Sequence, residues 1–153
     1  MATPFCEIID NALITIKDYK LDALYEKNPE AFVKVLTGYM LRELPKFTDC
    51  LKPLTYDTQT EEFESDFDIY EISIIADWTV IGWYLDNAQD VLEFKDALQN
   101  KEFKRRSAGE NLKERQNYIR LLREKVKQDG TNYQLLHLGE LPFFDGRGYC
   151  LWG

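Results

Sequence analysis

Along the first fifty positions, apolar residues recur at the three- and four-residue spacing of a helix face. Phe5, Ile8, Ile9, Ala12, Leu13 and Ile16 make one stripe, which predicts an amphipathic helix over "PFCEIIDNALITIKDY". From Asp18 to Lys27 the pattern loosens into a connector. A second helix opens with a start signal, Asn28 as N-cap, Pro29 in the first helical position and Glu30 in the first turn. It keeps period through Phe32, Val35, Leu36, Tyr39, Met40, Leu44 and Phe47, and Pro45 should kink or end it near Leu44. Lys52 to Asp68 is polar and acidic and reads as a loop, with room for a short turn of helix, and Asp66 or Asp68 is placed to cap the next helix.

That helix, Ile69 to about Val91, carries two apolar stripes. Ile69, Ile72, Ala76, Val80 and Trp83 form one, and Ile74, Trp78, Ile81 and Leu85 the other. A helix apolar on two faces is wrapped by its neighbours, so it belongs in the middle of a bundle. After a polar turn, a last helix is expected from about Gly109 to Gln128 on Leu112, Ile119, Leu122 and Val126, with Asp129-Gly130 as its stop. The predicted fold class is therefore all-α: a bundle of about four helices over residues 1–130, then an extended aromatic tail over 131–153. Within that tail, "YQLLHL" could form a short strand.

Composition fits one globular domain of 153 residues. The longest apolar stretch, "ISIIADWTVIGWYL", is interrupted by Asp77 and too short to cross a bilayer, so no membrane association is expected. The N-terminus has no basic, apolar and small-residue succession of a secretion signal. Three widely spaced cysteines (Cys6, Cys50, Cys150) and one histidine make neither a disulfide framework nor a zinc site, and suggest a reducing compartment.

Charge changes the picture most. The chain carries −8 overall, yet residues 100–127 hold ten Lys or Arg against four Glu, for +6. Residues 55–96 hold twelve Asp or Glu against Lys95 alone, for −11. Within one chain the two regions could meet. Between copies, a negative face on a positive one is a head-to-tail contact, which closes into a ring when the rotation allows. Lys101, Lys104, Arg105, Arg106 and Arg115 are the candidate cationic contacts, and Glu61, Glu62 and Glu64 the acidic ones. Tyr133, Phe143, Phe144, Tyr149 and Trp152 are candidate apolar contacts of the tail, which docks either on its own bundle or on a neighbour.

Catalytic signatures are absent. No phosphate-binding glycine loop, nucleophile elbow or zinc-protease motif occurs, and His137 has no nucleophile motif beside it. The acids from Glu61 to Asp68 lack the spacing and glycine of a calcium loop. No enzymatic activity, cofactor or metal is expected.

Three stretches together resemble a known family. "FVKVLTGYMLRELPKFTDC" is similar to an early helix ending in Lys-Phe and a polar turn. "YEISIIADWTVIGWYL" resembles a long central helix with its tryptophan, and "NKEFKRRSAGENLKE" a charged hinge, a Ser-containing loop and the start of the last helix. The family is the head–tail connector (adaptor) proteins of tailed bacteriophages, and the likeness runs from about Phe5 to Lys127. It implies a virion protein in a homo-oligomeric, dodecameric ring between portal and tail or stopper protein, with DNA passing through its lumen without sequence recognition. It extends no further than Gln128. Two other readings stand beside it: an acidic decoy that imitates DNA to a nucleic-acid enzyme, and a small nucleic-acid binder working through Lys104, Arg105 and Arg106.

Overall fold

The computed structural model describes residues 2–16, 24–97 and 102–138, with the backbone alone over 87–97 and 102–112. Four helices carry the fold: α1 Phe5–Thr15, α2 Pro29–Glu43, α3 Ile69–Ala97 and α4 Glu102–Leu136. One helical turn at 24–27 precedes α2. A small antiparallel sheet of two-residue strands accompanies them: β1 Thr3–Pro4, β2 Tyr56–Asp57 and β3 Glu62–Phe63, in the order β1-β3-β2. The architecture is a helical bundle, as the apolar periodicity predicts.

Local chemistry sets the helix ends. Asn28 Oδ1 accepts from the Ala31 amide, and Pro29 follows it at the first helical position. Pro45, which has no amide proton to donate, coincides with the passage from α2 into a single 3-10 turn over Leu44–Lys46. Asp68 caps α3 by accepting from the Tyr70 and Glu71 amides, each at 2.9 Å. Glu71 reaches back to the Asp68 amide at 2.8 Å, completing a capping box.

The first half of α3 is the centre of the molecule. From Ile74 to Trp83 every residue is buried, and α1, α2 and α4 all pack against it. Ile8, Ile9 and Ala12 of α1 and Leu36 and Met40 of α2 fill its flanks, with Ile119, Leu122, Val126 and Tyr133 of α4. Each aliphatic side chain removed from water there contributes about 1.5–3 kcal/mol. Ile69, assigned to a core stripe by period, is instead exposed in the first turn. No described helix is long and apolar enough to cross a membrane.

Four expectations are corrected. The acidic stretch between α2 and α3 is not a bare loop: it holds the β2–β3 hairpin, fixed to the bundle where the Phe5 amide donates to the Glu61 carbonyl at 2.9 Å. Helix α4 begins at Glu102 rather than Gly109, so the expected polar turn is helical there. It also runs through Asp129-Gly130 to Leu136, taking in Tyr133 to Leu136, where a strand was considered. The reason lies in packing. A Cβ on Gly130 would stand 2.7 Å from Asp49 Oδ2, so the glycine lets the helix pass close to Asp49 rather than ending it. Helix therefore crosses the boundary placed at residue 130, and residues 139–153 lie outside the described residues.

Candidate subunit interface

Helices α3 and α4 run antiparallel, and four contacts fix their register. Tyr84 stacks edge-on to Tyr118 at 5.3 Å, Lys125 Nζ meets Asp77 Oδ2 at 2.6 Å, Tyr133 Oη donates to Glu71 Oε1 at 2.5 Å, and His137 Nε2 lies 3.6 Å from Asp68 Oδ2. Among the described residues, acidic and cationic regions thus meet within the chain at Asp77 and Lys125.

The buried face of α4 is the row Ile119, Leu122, Val126 and Tyr133. Flanking it, Lys113, Arg120, Arg123 and Lys127 follow one another at steps of seven, three and four, hence along one side of the helix, and all are exposed. Arg120 is bound by Glu124 at 2.8 Å and by Asn117. Lys113, Arg123 and Lys127 make no ion pair among the described residues. Arg115, expected with the cationic contacts, falls on the row of Ile119 and Leu122 instead, exposed beyond its buried part. Lys101 lies outside the described residues, as do the side chains of Lys104, Arg105 and Arg106.

Negative charge collects on the hairpin. Asp57, Glu61, Glu62 and Glu64 are all exposed. Glu64 accepts from Thr55 Oγ1 at 2.7 Å, and Asp57 from the Gln59 amide at 2.7 Å. None of the four forms an ion pair among the described residues. Glu61 adopts a left-handed backbone, φ 56°, a conformation that costs a side chain about 1–2 kcal/mol. Here that strained position carries a carboxylate into solvent.

The hairpin leads into the start of α3, where His137 and the end of α4 also lie. Measured along α4 at 1.5 Å per residue, Lys127 to Lys113 stand roughly 15 to 35 Å from that contact. Among the described residues the hairpin acids form no ion pair with this face.

Tyr133, also expected at an interface, is a core residue, 2% exposed. Its hydroxyl accepts weakly from the Leu51 amide at 3.4 Å and donates to Glu71, whose carboxylate is wholly buried and also holds Lys52 Nζ at 2.7 Å. Burial, then the bond to Glu71, raises the Tyr133 pKa above its ordinary value. Burial, the largest single influence, would lower Lys52, but the bond to Glu71 together with the negative charges of Glu71, Asp68 and Asp66 raises it above its ordinary value. Sequence reasoning missed this network, although Asp68-x-x-Glu71 is a readable capping signature. Phe143, Phe144, Tyr149 and Trp152 lie outside the described residues. Among the described residues, no group of three His, Cys, Asp or Glu is placed to hold a metal ion.

Compared with protein-family models, characterised proteins and solved structures, the chain matches none.

Proposed function

We propose that this chain is a structural subunit that assembles head to tail into a homo-oligomeric ring. The observation that carries the reading is the pair of exposed, opposite charges that make no ion pair with each other among the described residues: the hairpin acids, and the cationic face of α4. A contact between two different patches of identical copies repeats with a fixed rotation, and closes when that rotation divides a circle. Complementary charge supplies register and partner choice at such a contact, while each exposed pair contributes only about 0–1 kcal/mol.

The resemblance to phage head–tail connectors gives the ring its setting. It stands in the virion neck as a dodecamer, bound by the portal protein on one side and a tail or stopper protein on the other, with DNA passing through the lumen. The chain then needs no cofactor and performs no catalysis. Its work is mechanical, and the buried α3 with its capping box and the Glu71 network supplies a rigid body for it.

Electron microscopy of the purified chain at low salt, alone and with portal particles, tests this reading. Annular particles, and rings stacked on the portal, are expected. A chain that remains monomeric in both preparations overturns it.

A further inference from the structure

Between α1 and the start of α2 lies a cavity of about 420 Å³. Sites for small molecules run from roughly 300 to 1,000 Å³, so it is large enough to hold one. On α1, Cys6, Ile9, Asp10 and Leu13 line it, at the three- and four-residue steps that keep side chains on one side of a helix. Tyr25 and Phe32 line it as well, their rings edge-on at 5.3 Å. Ile9 and Phe32 belong to the core, so the cavity reaches down to packed apolar side chains. Asp10 is the one charged residue in this apolar lining, and it makes no hydrogen bond or ion pair among the described residues.

We propose that this cavity binds a small apolar molecule carrying one cationic group, of the class of the alkyl amines. Its ammonium meets Asp10, and its hydrocarbon lies against Ile9, Leu13 and Phe32. Charge complementarity decides the class. A neutral apolar ligand would leave the carboxylate unpaired beside hydrocarbon, and an anion would be repelled by it. An ammonium donates to the carboxylate instead, in a bond roughly twice as strong as one between neutral groups. The hydrocarbon adds about 25 cal/mol for each Å² of apolar surface that leaves water. A concave site of this kind fixes orientation through very few polar groups, and here Asp10 is the charged one. Binding uses neither the hairpin acids nor the cationic face of α4, so its failure would leave ring assembly standing.

Cys6, exposed and on the cavity wall, supplies the readout. In the full chain carrying Cys50→Ala and Cys150→Ser it is the remaining thiol, and its alkylation by iodoacetamide at neutral pH is followed by mass. Three probes share one hydrocarbon and differ in charge: octylamine, octanol and octanoate, each below its micelle concentration. Octylamine should slow the alkylation several-fold and saturably, octanol less, and octanoate least. Asp10→Asn, at an exposed position, should bring octylamine down to the level of octanol. No slowing by octylamine, octanoate acting as strongly, or an unchanged octylamine effect in Asp10→Asn overturns the proposal. In a second measurement, octylamine is titrated into the nitrogen-15-labelled chain. The amide shifts should centre on Cys6, Asp10 and Val33, and shifts centred elsewhere also overturn it.

Discussion

Glu71 is the residue on which the most separate parts of the chain converge. Its carboxylate joins the cap of α3, the segment at Lys52 and the far end of α4 through three hydrogen bonds. Replacing it by Ala strands the buried Tyr133 hydroxyl, and Lys52 keeps part of its hydration. A loss of about 2–4 kcal/mol is expected in a denaturant titration. Tyr133→Phe should cost about 1–2 kcal/mol, and the double variant less than the sum, since both remove the same bond. The same cluster sets the alkaline limit. Burial pushes the Cys50 thiol up to about 11, and Tyr133 and Lys52 are likewise raised above their ordinary values. All three hold their protons more tightly when folded, so the unfolded chain releases protons first and stability falls as pH rises. Stability should stay level up to about pH 9 and decline above it, more gently in a Cys50→Ala, Tyr133→Phe chain. Glu61 gives a prediction of opposite signs. Glu61→Gly relieves the left-handed strain and should stabilise the fold by about 0.5–1 kcal/mol, while weakening self-association.

Among the helices, three glycines separate packing from propensity. Gly38 lies on α2, and a Cβ added there would meet nothing within 4 Å, so Gly38→Ala should stabilise by about 0.5–1 kcal/mol. At Gly130 the obstacle is the end of the Asp49 side chain, which can swing aside, so Gly130→Ala should be close to neutral. At Gly82 a Cβ would lie 2.7 Å from Glu43 Cγ, and Glu43 is buried and held by Arg42 and Lys46. Gly82→Ala should therefore cost about 1–3 kcal/mol. Thermal melts of the three variants, ordered 38 above 130 above 82, check the packing of α2 and α4 on α3. These positions also explain what the sequence conveyed. The stripes of α1, α2 and α3 were legible because burial of one helix face leaves a period, and Asn28 and Pro45 because caps and breakers are local. Gly130 misled because a close approach to Asp49, eighty-one positions away, looks identical to a stop signal. The hairpin left no trace because two-residue strands show no alternation, and its left-handed turn position holds Glu61 instead of glycine. At the candidate interface, Glu61, Glu62 and Glu64 were legible as exposed acids. Lys113, Arg120, Arg123 and Lys127 emerged only once the buried face of α4 was known.

For the whole molecule, the pairing of charge is decisive. Asp77 and Lys125 meet, while among the described residues the hairpin acids and the cationic face of α4 form no ion pair with each other. That internal pair is mostly exposed on the lysine side and contributes at most about 1 kcal/mol, so it does not use up the molecule's electrostatic asymmetry. A second copy can satisfy the charges that one copy leaves open, and the buried α3 keeps both surfaces at a fixed separation. Native mass spectrometry of charge-swapped chains at low salt tests this most directly. One variant carries Glu61→Lys and Glu62→Lys, the other Arg123→Glu and Lys127→Glu, none of which breaks an ion pair among the described residues. Each variant alone should lose self-assembly, and an equal mixture should regain it as assemblies in which the two alternate. Variants that assemble alone as the parent chain does, or folded variants that stay monomeric when mixed, would contradict the account.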